Sequence, residues 1–125
     1  MSKQVAIWID HQEARILHIP PDQLDDSILS AHLHEVHQRA SREAGDRERP
    51  ADERRFFRRV GKSLKGAKRI LLLGPSTPKL DFARFLRKHE HALERRIVGI
   101  ETVEQPDDRQ LLKFAKEYFP TTRAS

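Results

Sequence analysis

The chain contains no cysteine, which excludes disulfides, thiolate metal sites and thiol nucleophiles and makes a reducing cytoplasm the expected setting. It has no apolar run near the length of a membrane span; the runs at positions 5–9 and 70–73 are strand-sized. The opening MSKQVAIWID lacks the long apolar segment and small-residue cleavage site of a secretory signal. The phosphate-loop pattern GxxxxGK[ST], the zinc-protease pattern HExxH and the nucleophile elbow G-x-S-x-G are also missing. Nucleotide hydrolysis, zinc proteolysis and serine-type acyl transfer therefore lose their usual sequence support, and no cofactor is indicated.

What the chain does have is charge, placed unevenly. Its 125 residues carry a net charge of +5, with 34% of residues charged and a pI near 9.9. Positions 39–69 hold twelve Lys/Arg against five Asp/Glu, whereas the remainder holds twelve against fourteen. The positive excess thus lies in QRASREAGDRERPADERRFF and the segment after it, and a polyanion is the natural partner for such a block. The length suits one domain over 1–125, with a mobile charged insertion at about 38–50.

VAIWI (5–9) and ARILHI (14–19) are β-branched runs separated by four polar residues, the signature of a hairpin. Pro20 and Pro21 end the second strand, and the alternation of HLHEVH (32–37) predicts a third. A helix is expected from about 51 to 65, because Phe56, Phe57, Val60 and Leu64 recur at helical spacing until Gly66 stops it. RILLLG (69–74) reads as a strand covered on both faces. In GPSTP (74–78), Thr77 is placed to cap a helix and Pro78 to open it. That helix should run to about 88, followed by a strand at 97–103 and a last helix opened by Pro106 and Asp107. The order β-β-β-α-β-α-β-α predicts an α/β fold, a mixed β-sheet flanked by helices of the ribonuclease H-like kind.

VAIWIDHQEARIL, DERRFFRRVGKSLKG, RILLLGPSTPKLDFARFL and RRIVGIETVEQPDDRQLLKFAKEYF follow one another in that order. Together they resemble the middle domain of eukaryotic and archaeal class-1 peptide-chain release factors and of Pelota, and more closely the stand-alone bacterial translational machinery proteins. The resemblance runs from about position 5 to 119. It includes a Gly-Pro turn after an apolar strand and a following helix with a Lys and an aromatic, here Gly74, Pro75, Lys79 and Phe82. Release factors carry a Gly-Gly-Gln tripeptide after the third strand, whereas the corresponding stretch here has only Gly45 and a distant Gln38. The resemblance therefore implies ribosome or RNA binding without peptidyl-tRNA hydrolysis, and no catalytic residue is carried over.

The residues expected to touch RNA are Arg39, Arg42, Arg47, Arg49, Arg54, Arg55, Arg58, Arg59, Lys62 and Lys65. Phe56 and Phe57 are the aromatics nearest to them, and their spacing assigns them to the core rather than to base stacking. Phosphates of a structured RNA, in the ribosome or a transfer RNA, are thus the expected contact. An acidic protein partner is the competing expectation. Ser76, Thr77 and Lys79 form a weaker anion-binding candidate at a helix start. A metal-dependent ribonuclease H-like nuclease would need acids such as Asp10, Glu35 and Asp81 to converge on metal ions. The hairpin explains Asp10, however, and a helix first turn explains Asp81. His32 and His34 share a strand face and His37 lies on the other, which argues against a histidine metal site.

Overall fold

The computed structural model describes residues 4–19, 32–37 and 49–119. Strands β1 (Gln4–Ile9), β2 (Glu13–Ile19) and β3 (His32–His37) form the expected antiparallel meander, with Ile7 opposite Ile16 and Arg15 opposite Glu35. The hairpin between β1 and β2 is closed by Asp10, whose N–H donates to the Glu13 carbonyl at 3.0 Å. Its carboxylate accepts the N–H groups of Gln12 and Glu13, each at 2.8 Å. Of the insertion expected at about 38–50, positions 38–48 lie outside the described residues and 49–50 belong to helix α1 (Arg49–Ser63).

Strand β4 (Arg69–Gly74) lies parallel to β1, and β5 (Ile97–Thr102) lies parallel to β4, giving the five-stranded order β3-β2-β1-β4-β5. This is the mixed α/β sheet the sequence predicts. Helix α2 (Pro78–His89) precedes one element the sequence pattern does not show, the single turn α3 (His91–Glu94). Glu90, at φ −141° and ψ 62°, breaks the helix between them. Four residues are too few for a 3.6-residue period to register. Helix α4 (Asp108–Tyr118) closes the described chain. Asp107 caps it reciprocally with Gln110, both bonds at 2.8 Å, an arrangement worth about 1 kcal/mol.

Alternation along the central strands feeds two cores. Val5, Ile7 and Ile9 of β1 join Ile70 and Leu72 of β4 beneath Phe56, Phe57 and Val60 of α1, Leu64 just after it, and Phe82 and Leu86 of α2. Ala6, Trp8, Leu71 and Leu73 face the other way, against Leu111, Leu112 and Ala115 of α4. The handedness of parallel connections explains why α1 and α2 share a face. Both crossovers, β3 to β4 and β4 to β5, step in the same direction across the sheet, so right-handed connections put both helices on one side. Helix α4 leads to no further strand among the described residues and takes the opposite face.

Candidate nucleic-acid interface

Helix α1 is divided by its own periodicity. Phe56 and Phe57 are 1% and 4% exposed, and Val60 and Leu64 are fully buried. Phe57 packs against Phe56, Phe82 and Phe85 at ring separations of 5.4 to 5.9 Å. Drawing either phenylalanine out to stack on a base would forfeit about 1.5–3 kcal/mol of burial, so neither serves as a stacking platform. Arg54, Arg55, Arg58, Arg59 and Lys62 occupy the outward arc, Lys65 follows in the turn after the helix, and all six are exposed. At 100° per residue the five on α1 form one continuous stripe down the helix.

The six cations are not equally available. Arg55 pairs with Asp52 one turn earlier at 3.1 Å, and the Arg59 guanidinium donates to the His37 carbonyl, tying α1 to the end of β3. Among the described residues Arg54, Arg58, Lys62 and Lys65 have no ion-pair partner. Asp52, Arg55, Arg58, Arg59 and Lys62 line a shallow surface depression of about 540 Å³. Arg39, Arg42 and Arg47 lie outside the described residues, as does the side chain of Arg49, whose backbone begins α1. The arrangement provides a phosphate-contacting ridge with little means of reading base identity.

The second candidate is the turn after β4. Gly74 has φ +154°, and a Cβ there would sit 2.3 Å from the Ile9 carbonyl oxygen, so β4 passes β1 too closely for a side chain. Ser76 takes φ 52°, and Pro78 opens α2 as expected. Thr77 does not cap through its hydroxyl; it sits at φ −97° and ψ −17°. Its carbonyl instead accepts the N–H groups of Leu80 at 2.9 Å and Asp81 at 3.0 Å. Lys79 is 5% exposed, and its ammonium donates to the Ser76 carbonyl across the same turn. The turn thus gathers Ser76, Thr77 and Lys79, with the lysine already satisfying a backbone oxygen.

Asp10 is engaged in the hairpin, Glu35 lies 3.3 Å from His37 on β3, and Asp81 pairs with Arg84 at 3.3 Å. Among the described residues no three His, Asp or Glu side chains are grouped to hold a metal ion. The ring of His34 stacks on that of His18 at 5.1 Å, across the β2–β3 pair.

One cluster has no counterpart in the sequence reading. The Trp8 indole N–H donates to the carbonyls of Val103 and Glu104 at 3.0 and 2.9 Å. Arg15, only 6% exposed, lies over the Trp8 ring at 4.7 Å and donates to Asp108 at 3.1 Å. These contacts fasten the approach to α4 onto β1 and β2. Arg15 falls at an alternating strand position, where a solvated residue would look the same in sequence.

Comparison with known proteins supplies the fold's relatives. No protein-family model matches the sequence, and no curated protein matches it. Among solved structures, Pelota of Archaeoglobus fulgidus superposes with a TM-score of 0.64 at 18% identity, covering 92% of this chain and 31% of that one. The archaeal translation termination factor aRF1 gives a TM-score of 0.62 at 16% identity, with coverages of 94% and 34%. Dom34 of S. cerevisiae, a translation termination-like factor involved in RNA quality control pathways and interacting with Hbs1, gives 0.53 at 10% identity, with coverages of 98% and 38%. The fold is therefore that of a domain shared by Pelota and the termination factors, as the resemblance implies, and the chain spans about a third of these neighbours' length. No helix of the described residues is long and apolar enough to cross a membrane.

Proposed function

We propose that this chain is a translation-associated cytoplasmic protein that binds ribosomal or transfer RNA through α1 and the basic segment before it, without hydrolysing peptidyl-tRNA. The observation that carries the proposal is the stripe of exposed cations on α1, three of them without an ion-pair partner among the described residues, with Lys65 unpaired just after it, on a fold also seen in translation factors. The missing Gly-Gly-Gln tripeptide removes the residues on which the family's hydrolysis would depend. On this reading 1–125 acts as one domain, and the arginines at 39, 42, 47 and 49 extend the α1 surface. The contact is to phosphates, so it depends on salt and discriminates weakly among sequences.

Co-sedimentation with ribosomal fractions at low and high salt tests the proposal. The wild-type chain should pellet with ribosomes at low salt and be released at high salt. A variant with Arg54, Arg55, Arg58 and Arg59 changed to Glu should stay in the supernatant at both. Pelleting by that variant at wild-type levels defeats the proposal, and so does exclusive capture of an acidic protein with no RNA in the pellet.

A further inference from the structure

Both crossovers return the chain to one end of the sheet. Helix α1 leads from the end of β3 back to the start of β4, and α2 from the end of β4 back to the start of β5. Their last turns therefore lie together where β1, β4 and β5 begin. Two turns are fastened to each other there. The Arg96 guanidinium donates to the Ala67 carbonyl at 2.8 Å, and the Ile70 N–H donates to the Arg96 carbonyl at 2.9 Å. The turn after α1 is thus tied to the turn after α3. Ile70 is paired with Ile97, so one step earlier Arg69 stands beside Arg96, and Lys68 beside Arg95.

The charge gathered at this end has no internal use. Lys68, Arg69 and Arg95 are exposed, and none has an ion-pair partner among the described residues. Arg87 and Lys88, in the last turn of α2, are likewise exposed and without an ion pair. The negative end of the helix dipole accounts for those two, but Lys68 and Arg69 belong to no helix. Against these five cations stand Glu90 and Glu94, neither in an ion pair among the described residues. Like charges held on neighbouring turns repel one another until an anion lies across them. The five residues include no exposed large apolar side chain, so the patch lacks the apolar centre around which a protein interface is built. Charge alone fits a phosphate backbone.

We propose that this end of the sheet holds the phosphate backbone of a second RNA segment, so that the chain bridges two segments rather than lying along one. The proposal rests on the reading of α1 as an RNA-binding surface. The α1 stripe looks away from the face of the sheet, whereas the patch occupies the end where β1, β4 and β5 begin. A straight RNA helix lying on one surface turns away from the other, and the two sites fill separately.

Calorimetric titration of the full chain with a short, straight RNA duplex at low salt counts the sites. Two duplexes per chain are expected. With Lys68, Arg69 and Arg95 each neutralising one phosphate, binding at the patch should have a salt slope of about −2.7, at about 0.9 per contact. Lys68→Gln, Arg69→Gln and Arg95→Gln together should leave one duplex per chain. All three side chains are exposed, so the far-UV circular dichroism should not change. Arg54→Glu, Arg55→Glu, Arg58→Glu and Arg59→Glu together should also leave one, held at the patch, and the two sets combined should leave none. A single duplex on the wild-type chain, lost only with the α1 changes, overturns the bridge and leaves the α1 reading intact. A single duplex lost only with the patch changes overturns the α1 reading and the bridge with it. Two duplexes retained after the patch changes, or a patch that takes polyglutamate and no duplex, overturn the bridge as well.

Discussion

Neutralising Arg58 and Lys62 together, as Arg58→Gln and Lys62→Gln, tests the α1 surface quantitatively. Both are exposed, neither has an ion-pair partner among the described residues, and neither supports the core. If Arg54, Arg58, Lys62 and Lys65 each neutralise one phosphate, the slope of log K against log salt is about −3.6 at about 0.9 per contact. Raising salt fourfold should then weaken binding about 150-fold. With two contacts removed the slope falls to about −1.8, and the same change in salt costs only about 12-fold. Asp52→Asn works in the opposite direction, because it frees Arg55 from its 3.1 Å ion pair and should steepen the slope by up to about one unit. Anisotropy titrations of fluorescently labelled transfer RNA at several salt concentrations read these slopes directly. Arg109→Gln with Lys113→Gln, exposed positions on α4, is the control and should leave the slope unchanged. An unaltered slope in the α1 variant, or an equal fall in the control, refutes the assignment of the phosphate contacts to α1.

Two predictions concern what holds the site in place. Gly74→Ala sets a Cβ against the Ile9 backbone oxygen at a left-handed φ and should cost about 3 kcal/mol or more in urea unfolding; a loss under about 1 kcal/mol would contradict the close approach of β1 and β4. Arg15→Ala removes both the stack on Trp8 and the ion pair, and should cost about 2–3 kcal/mol. Asp108→Ala should cost only about 1 kcal/mol, because that side chain is 48% exposed and Glu13 remains 3.5 Å from Arg15. The reverse ranking in denaturant melts would show that the ion pair, not the stack, fastens α4.

The parts of this structure that are legible in sequence are those decided locally. The β-branched runs of β1 and β2, the apolar period of α1 and the Pro106-Asp107 opening of α4 all stand where their chemistry puts them. What escaped depends on partners distant in sequence. Lys79 looks like an ordinary surface lysine at a helix start, and it is buried because α2 turns its first residues onto the sheet. Arg15 alternates as a solvated strand residue would, and it is buried because Asp108, far along the chain, closes over it. The bulge in β5 arises from its register against β4, which no property of IVGIET alone encodes. The stripe on α1 was legible because one helix contains both the phenylalanines that orient it and the arginines they turn outward.

Sequence alone could not determine which side of the molecule collects the charge. Residues 49–96 carry fifteen Lys/Arg against five Asp/Glu, and residues 97–119 carry three against five. In a chain of the same composition whose crossovers stepped in opposite directions, α1 and α2 would occupy opposite faces and the basic residues would be divided between them. Because both crossovers step the same way, the basic helices share one face while α4 occupies the other. The handedness of the connections thus turns a segmental excess of charge into a directional field.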